Sequence, residues 1–273
     1  MPFERAKAAL SGTRFEDLRW VAETGSTNAD MVEILRTQDP SEDRRPAVLI
    51  ADHQTAGRGR RDRTWDAPAG ASLLMSIGLP VGDIDAERWP LVNAAVALAA
   101  VDAAPDLRVK WPNDLVAVGA GADGSALKVG GILAELHEDL GGLGACIVVG
   151  LGLNLNWGEM PAELASSATS LDVLLGGDVA ADVIVTDLLV SLDSRWLGLL
   201  GRSSPDVTEI LDAYRSRSAT IGRRVRVELD AVAGGDPALE GTAVDVDADG
   251  ALVVETDSGE RRTVTVGDVV HLR

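Results

Sequence analysis

The chain has 273 residues, 46% of them hydrophobic and 25% charged, which is typical of a globular protein with room for one large domain and one small domain. Its formal net charge of −18 argues against nucleic acid and anionic membranes as partners, so any bound anion needs a local cluster of basic residues. The single cysteine, Cys146, lies in an apolar run and excludes an intrachain disulfide. No segment has the roughly 20 apolar residues of a membrane span, and residues 1–10 lack a signal-peptide core. We therefore expect a cytoplasmic protein.

Helical periodicity and turn signals predict an alternation of helices and strands over the first 215 residues. Helices are predicted from Ser26 or Thr27, with capping-box spacing between Thr27 and Asp30, after Trp89-Pro90, over residues 182–200, and from Ser204-Pro205. Apolar runs predict strands at residues 47–51, 71–79, 107–111, 128–136 and 146–153. Residues 52–70 form a long polar segment between two strands, and loops of that length are usually functional or disordered.

A change of period after Ile221 predicts a small all-β unit that docks on the first domain. Val225, Val227 and Leu229 alternate with charged residues, and turn signals recur at Gly234-Gly235, Asp249-Gly250 and Ser258-Gly259. The acidic repeat at residues 245–250 is similar to a calcium loop, but Thr256 stands where the loop needs its last carboxylate. We therefore interpret the repeat as an acidic hairpin.

Four arginines occur within the seven residues Gly57-Arg58-Gly59-Arg60-Arg61-Asp62-Arg63. Like charges about 4 Å apart repel by roughly 1 to 4 kcal/mol, depending on the dielectric, so a cluster of this kind favours an anion or carboxylates as counter-charge. Guanidinium groups suit phosphate and carboxylate oxygens, and Trp65 offers a flat face nearby. A solvated, salt-bridged surface loop is the alternative. No complete dinucleotide-binding or P-loop pattern is present.

Three further motifs follow, each weak alone: Lys110-Trp111-Pro112-Asn113-Asp114, Lys128-Val129-Gly130-Gly131-Ile132-Leu133-Ala134-Glu135 and Gly150-Leu151-Gly152-Leu153-Asn154-Leu155-Asn156. Together with Glu23-Thr24-Gly25-Ser26-Thr27-Asn28 and the Arg-rich segment, they make the chain resemble the biotin–protein ligases, in the family's order over about residues 23–156. Two departures stand out. Asp62 occupies a position where the family commonly has glycine, and the step from Asp114 to Lys128 is long.

The resemblance implies an α/β (α+β) fold, with a mixed, largely antiparallel sheet backed by helices and a small SH3-like β-barrel at the C-terminus. It places the catalytic domain at residues 1–218 and the C-terminal domain at residues 219–273. The implied reaction joins biotin to ATP as biotinyl-5′-AMP and then transfers the biotinyl group to a lysine of a biotin carboxyl carrier domain. The Arg-rich segment is expected to be mobile when empty and to order over the adenylate.

The resemblance also implies roles for individual residues. Those expected to be catalytic are Lys128, Arg58, Arg60 and Asp114, the last as the group that orients or deprotonates the acceptor amine. Those expected to bind biotin are Ser26, Thr27, Asn28, Gln54, Gly57, Arg58, Lys128, Gly131, Gly150 and Gly152. Those expected to bind ATP or the adenylate are Arg60, Arg63, Trp65 (stacking on adenine), Asn113, Lys128 and Asn154. Mg²⁺ would arrive with ATP, held mainly by phosphates, and no protein ligand for a metal is assigned.

Other interpretations remain open at this point. A lipoate–protein ligase would share the fold and the acyl-adenylate chemistry, although the Lys110 and Arg-rich motifs favour biotin. An adenylate-sensing repressor needs an N-terminal DNA-binding module, and only 22 residues precede Glu23. A non-enzymatic nucleotide-binding module is the third. The expected partner is a carrier domain rather than nucleic acid or membrane, and the expected state is a monomer or weak homodimer.

Overall fold

The computed structural model describes residues 3–39, 45–61, 63–202, 205–228 and 238–272. The predictions for Asp62, for Ser204, for Leu229 and for the Gly234-Gly235 turn lie outside these residues. Among the described helices, none is both long and apolar enough for a transmembrane segment.

The first sheet has seven strands and contains the five strands that the apolar runs predict. In chain order the strands are β1 (Asp17–Thr24), β2 (Ala47–Gln54), β3 (Ser72–Pro80), β4 (Arg108–Lys110), β5 (Asp114–Ala117), β6 (Leu127–His137) and β7 (Cys146–Asn154). Their order across the sheet is β1-β2-β3-β7-β6-β5-β4. Only the β1–β2 pair is parallel, and the other neighbours are antiparallel. The expected mixed, largely antiparallel sheet is confirmed.

Helices cover both faces of this sheet. They are α1 (Glu4–Leu10), α2 (Thr27–Thr37), α3 (Leu91–Ala103), α4 (Leu171–Leu175), α5 (Ala181–Leu199) and α6 (Val207–Arg217). Side chains alternate between the faces of a strand, so Ala47 and Leu49 of β2 pack with α2 while Val48 and Ile50 join the larger core that contains α3 and α5. Cys146 is buried in the smaller cluster beneath α2, as the sequence predicts.

The predicted start of α2 at Ser26 or Thr27 agrees with the structure, but its predicted capping does not, and the helix predicted from Ser204-Pro205 begins later than expected. Ser26 is the N-cap of α2, but it makes no side-chain capping bond, and the Asp30 carboxylate accepts a hydrogen bond from Thr24 Oγ1 instead. The predicted capping box of Thr27 and Asp30 is therefore wrong. The helix after Pro205 begins later than predicted, because Asp206 and Glu209 form a complete capping box in which each side chain accepts from the other residue's backbone N–H.

A second, five-stranded sheet follows, with strands β8 (Arg224–Glu228), β9 (Ala238–Val246), β10 (Leu252–Glu255), β11 (Arg261–Val264) and β12 (Asp268–His271). Its order is β11-β10-β9-β8-β12, and all of its pairs are antiparallel. In the described pairings, β11 and β12 are the edge strands, so the five strands form an open sheet rather than the expected barrel. The acidic repeat joins β9 to β10, as the hairpin interpretation predicts.

The two sheets are joined by hydrogen bonds around Trp111, which lies between β4 and β5. Its backbone N–H donates to Thr220 Oγ1 at 3.0 Å, and its indole Nε1 donates to the carbonyl of Gly250 at 3.0 Å. Arg215 of α6 donates to Asp245 and to the carbonyl of Val246. These contacts hold the second sheet and the segment leading into it against the first domain. The boundary between residues 218 and 219 remains a prediction.

Candidate functional site

The floor of the candidate site is a patch of the first sheet without large side chains. In the antiparallel register, Gly131 of β6 faces Gly152 of β7, and Leu133 faces Gly150 one row along. Directly opposed residues share a face, so these glycines lie on the face that α2 covers further along at Cys146 and Val148. Because α2 begins at Thr27, the glycine patch is left open beside the N-terminus of the helix.

A cavity of about 340 Å³ lies over this floor. Its wall contains all of the predicted site residues except Gly57 and Asn154, and therefore brings together Ser26, Thr27, Asn28, Gln54, Arg58, Arg60, Arg63, Trp65, Asn113, Asp114, Lys128, Gly131, Gly150 and Gly152. These residues come from five separate segments of the chain: 26–28, 54–65, 113–114, 128–131 and 150–152. Their convergence turns a set of individually weak motifs into one site.

One end of the cavity carries neutral polar side chains at the start of α2. The backbone N–H and the hydroxyl of Thr27 lie 2.7 and 3.0 Å from Gln54 Oε1. Asn28 is 4% exposed, and its amide is held by Ser76 Oγ at 2.6 Å and Glu135 Oε2 at 2.7 Å. Thr27 and Gln54 thus face the cavity with short polar groups, whereas both ends of the Asn28 amide are bonded to protein.

The opposite side is formed by residues 57–65, which we call the arginine hairpin. Arg58 and Thr64 pair as an antiparallel bridge, and the N–H of Gly59 donates to the carbonyl of Arg63 at 2.6 Å. A Cβ on Gly57 would lie 2.3 Å from the carbonyl oxygen of Trp65, so only glycine permits this closure. Gly57 therefore supports the shape of the hairpin and lies outside the cavity of the site.

Carboxylates neutralise the hairpin's cations. Asp268, at the start of β12, lies 3.5, 3.2 and 2.6 Å from the guanidinium nitrogens of Arg60, Arg61 and Arg63. Arg58 pairs with Glu135 at 3.3 Å. The second sheet thereby supplies the counter-charge that the clustered arginines need, and Asp268 also lines the cavity.

Lys128 reaches the cavity because of a β-bulge. The pairing of β5 with β6 shifts between Leu115 and Val116, so that Asp114 faces Gly131 while Val116 faces Lys128. The extra residue re-aims the lysine toward the glycine floor. Its Nζ lies 2.6 Å from Asp114 Oδ1 and 5.6 Å from the centre of the Trp65 ring. The geometry thus places one ammonium group between a carboxylate and an aromatic face.

Trp65 closes the hairpin and lies directly on the floor. A Cβ on Gly152 would be 2.5 Å from Trp65 Cε2, and one on Gly131 would be 3.3 Å from Cζ3. The indole Nε1 is buried, and no hydrogen-bond partner for it is found among the described residues. The indole can therefore occupy this position only because the residues beneath it are glycines.

Asn113 and Asn154, both expected on the nucleotide side, have different surroundings. Asn113 accepts from Arg60 at 3.2 Å and donates to the carbonyl of Ile132. Asn154 is buried at the end of β7, where it accepts from Ser72 and donates to the carbonyl of Thr169. Asn113 thus positions an arginine of the hairpin, and the amide of Asn154 is bonded within the protein.

Sequence reasoning missed Ser76, Asp268 and Glu135 as parts of the site. Ser76 sits in a strand of buried residues and looks like core, and Asp268 is one of 43 acidic residues. Glu135 lies inside a recognised motif without a role assigned to it. No local pattern marks any of the three, because their importance comes from the strands and residues that they face.

Two further observations concern charge. Burial and then the positive charges of Lys110 and Arg223 lower the pKa of His271 to about 4, so this imidazole adds no charge near the site at pH 7. The described residues contain no group of three or more His, Cys, Asp or Glu placed to hold a metal.

Comparisons with protein families match both parts of the chain. Residues 25–154 match the Biotin/lipoate A/B protein ligase family, and residues 220–272 match the Biotin protein ligase C terminal domain. The first match spans the motifs that form the site. The second spans the sheet that supplies Asp268.

Individual relatives agree with these matches. The chain is 29% identical to the biotin--[acetyl-CoA-carboxylase] ligase of Paracoccus denitrificans over 91% of this chain and 98% of the relative. It shares the fold of biotin protein ligase from Aquifex aeolicus, solved in complex with biotin and ATP, with a TM-score of 0.70, 24% identity and coverage of 95% of this chain and 100% of the other. The biotin--[acetyl-CoA-carboxylase] ligase of Mycobacterium tuberculosis is 38% identical over 96% of this chain and 92% of its own length. Identity of that extent across both sheets shows that the chain belongs to the biotin protein ligase family.

Proposed function

We propose that the chain activates biotin with ATP as biotinyl-5′-AMP and transfers the biotinyl group to a lysine of a biotin carboxyl carrier domain. The observation that carries the proposal is one cavity with a neutral polar end at Thr27 and Gln54 and a cationic end at Lys128 and the arginine hairpin. The first end suits a cyclic urea, and the second suits a carboxylate meeting a phosphate. The match to the biotin ligase C-terminal domain favours biotin over lipoate.

In the first half-reaction, the biotin carboxylate attacks the α-phosphorus of ATP and pyrophosphate leaves. The reacting oxygens are all negatively charged, so fixed cations aimed at them lower the barrier. Lys128 is the residue we assign to the carboxyl–phosphate junction, flanked by Arg58 and Arg60. Asp114 holds the Lys128 ammonium in place at 2.6 Å. Mg²⁺ arriving with ATP would add charge neutralisation on the phosphates.

In the second half-reaction, the acceptor lysine amine attacks the mixed anhydride, forming an amide and releasing AMP. The attacking amine must lose a proton, and Asp114 is the carboxylate nearest to Lys128 on the cavity wall. We assign Asp114 to orienting or deprotonating that amine. The residue thus serves both half-reactions, through Lys128 in the first and directly in the second.

Replacing Asp114 by asparagine is expected to slow transfer from preformed biotinyl-5′-AMP by roughly 10²-fold, the lower range for a lost general base. The measurement is single-turnover biotinylation of a carrier domain with purified adenylate, which bypasses the first half-reaction. Asp106→Asn, an exposed acidic position outside the cavity, is the matched control. An unchanged transfer rate in the Asp114 variant would remove this assignment.

The arginine hairpin is expected to be cut by trypsin in the free protein and protected by biotin with ATP. Arg63 is 67% exposed although it pairs with Asp268, and ligand phosphates would compete with that carboxylate for Arg60 and Arg63. Closure over the adenylate would exclude water from a hydrolysable anhydride. Cleavage mapped by mass spectrometry, with biotin alone as the control, tests this expectation. Equal cleavage with and without both substrates would contradict it.

The experiment that tests the function is incubation of the protein with biotin, ATP and Mg²⁺, followed by detection of biotinyl-5′-AMP and pyrophosphate. A parallel reaction with lipoic acid measures selectivity, and calorimetric titration of each acid gives its affinity. We expect biotinyl-5′-AMP and no lipoyl adenylate. Formation of the lipoyl compound instead, or of neither, would overturn the proposal.

We further propose that the acceptor is the carrier domain of a biotin-dependent carboxylase and that the protein acts in the cytoplasm as a monomer or weak homodimer. The net charge of −18 disfavours nucleic acid as a partner. The names of the relatives point to a carboxylase as the source of the acceptor. Biotinylation of a purified carrier domain, with its target lysine replaced as the control, tests the choice of partner.

A further inference from the structure

The polar end of the cavity contains more hydrogen-bond contacts than the hydroxyl protons available to make them. Ser76 Oγ lies 2.7 Å from Thr27 Oγ1 and 2.6 Å from Asn28 Oδ1, and Thr27 Oγ1 lies 3.0 Å from Gln54 Oε1. These three contacts join oxygen to oxygen, and the two hydroxyls carry one proton each. In one of the three contacts, therefore, no proton lies between the two oxygens.

Glu135 determines which groups donate and which accept in this hydrogen-bond network. This carboxylate pairs with Arg58 and accepts from the Asn28 amide at 2.7 Å, so the amide nitrogen of Asn28 faces Glu135 and its oxygen faces Ser76. Asn28 is 4% exposed, and Ser76 is the donor found for that oxygen. A buried carbonyl oxygen without a donor is costly, so the proton of Ser76 belongs to Asn28.

The rest follows in sequence. Ser76 is fully buried, and its 2.7 Å contact with Thr27 Oγ1 is shorter than the 3.0 Å contact between Thr27 Oγ1 and Gln54 Oε1. Two oxygens repel more strongly at the shorter distance, so we assign the only hydroxyl proton of Thr27 to the contact with Ser76, whose Oγ then accepts it. Gln54 Oε1 keeps the backbone N–H of Thr27 at 2.7 Å. Thr27 Oγ1 and Gln54 Oε1 are then two acceptor oxygens 3.0 Å apart on the cavity wall, with no proton between them. A ligand N–H placed against both would relieve their repulsion.

We propose that Ser76 and Glu135 are positioning residues for recognition of the ureido ring. Glu135 orients the Asn28 amide, Asn28 takes the proton of Ser76, and Ser76 takes the proton of Thr27, which leaves Thr27 and Gln54 as a paired acceptor for one ureido N–H. The inference rests on the proposed function and assigns part of its substrate selectivity to residues that do not line the contact with the ligand. A dithiolane ring has no N–H to donate, so the same hydrogen-bond network disfavours a lipoyl group.

Neighbouring positions support a specific role for the hydroxyl. Ser76 faces Gly150 across β3 and β7, and a Cβ on Gly150 would lie 2.5 Å from Asn28 Oδ1. The lack of a side chain at Gly150 thus makes room for the Asn28 amide with its oxygen directed at Ser76. The strand residues on either side of Ser76, Met75 and Ile77, point into the apolar core.

The test measures biotin affinity by calorimetry without nucleotide, and then the KM values for biotin and ATP. Ser76→Ala and Ser76→Cys are both expected to weaken biotin binding by roughly tenfold, the effect of one neutral hydrogen bond, with the KM for ATP within about twofold of wild type. Cysteine fills the space of serine but is a weak donor, so a role in packing alone predicts normal binding for Ser76→Cys. Thermal midpoints establish that each variant is folded.

A double-mutant cycle with Thr27→Val tests whether Ser76 acts through Thr27. The double variant is expected to bind biotin no more than about twofold worse than Thr27→Val alone, since the acceptor is already gone. Ser72→Ala is the matched control, because Ser72 is a buried serine on the same strand that bonds to Asn154 and not to Thr27. Its biotin affinity without nucleotide should match wild type.

Wild-type affinity in Ser76→Cys, or multiplicative losses in the double variant, would overturn the inference while leaving the proposed function intact. Failure of the wild-type protein to bind biotin would overturn the proposed function, and the inference with it. The two failures are distinguished by the wild-type titration, which is performed first.

Discussion

Lys128→Ala is expected to slow formation of biotinyl-5′-AMP by roughly 10²- to 10³-fold, the loss typical of removing one preorganised charged or hydrogen-bonding group at a developing anion. Lys128 is the ammonium group that the bulge in β6 brings onto the glycine floor, and its Nζ lies 2.6 Å from Asp114. The measurement is the rate of biotin-dependent pyrophosphate release at saturating biotin and ATP.

The fold should survive this change. The Lys128 side chain is 36% exposed, and the Asp114 side chain with which it pairs is 25% exposed. Ion pairs with that degree of exposure contribute at most about 1 kcal/mol to stability. The backbone of Lys128 is held independently, since its N–H donates to the carbonyl of Ser167 and its carbonyl accepts from Thr169. A thermal midpoint close to wild type is therefore part of the expected result.

Two companion variants sharpen the test. Lys128→Arg keeps the positive charge but replaces the compact ammonium with a wider planar group, so it should recover only part of the rate. Lys7→Ala removes the lysine on α1, which does not line the cavity, and should leave the rate unchanged. Near-normal pyrophosphate release by Lys128→Ala would defeat the assignment of Lys128 as the main catalytic residue.

Periodicity was sufficient for the central strands and the long helices, because their buried faces are continuous. It failed for β1, where Asp17, Arg19 and Glu23 lie in an edge strand with Leu18 as the one buried side chain. An edge strand with one buried residue carries almost no alternation for a pattern to register. The parallel pairing of β1 with β2 then comes from tertiary context alone.

The motifs anticipated which residues converge, but not how. Lys128 and Gly131 are three residues apart, so regular alternation would put them on opposite faces of β6. The bulge places Lys128 and Gly131 in the same cavity, and no residue type in the motif predicts a bulge at that position. The contribution of Asp268 is equally invisible in the sequence, because it requires the second sheet to dock beside the hairpin. Register and docking are long-range properties that local spacing does not contain.

Gly152→Ala is expected to lower the rate of adenylate formation by roughly 10²-fold, the penalty that a displacement of about 1 Å in a reactive arrangement can bring. The added methyl would lie 2.5, 2.7 and 2.9 Å from three atoms of the Trp65 indole, too close for any real contact. Gly152 is held in the centre of the sheet by β3 and β6, so the indole must move instead. Because Trp65 closes the arginine hairpin, its displacement carries Arg58 and Arg60 away from Lys128.

The mechanism predicts how Gly152→Ala combines with Trp65→Ala. If the methyl acts by displacing the indole, the double variant should be no slower than Trp65→Ala alone, whereas a direct clash with substrate would add a second loss. Gly177→Ala is the matched control, since a methyl there meets open space and the backbone is not in the left-handed region. Wild-type rates in Gly152→Ala would mean that the indole does not rest on the sheet during catalysis, and that the hairpin is positioned by its arginine–carboxylate pairs alone.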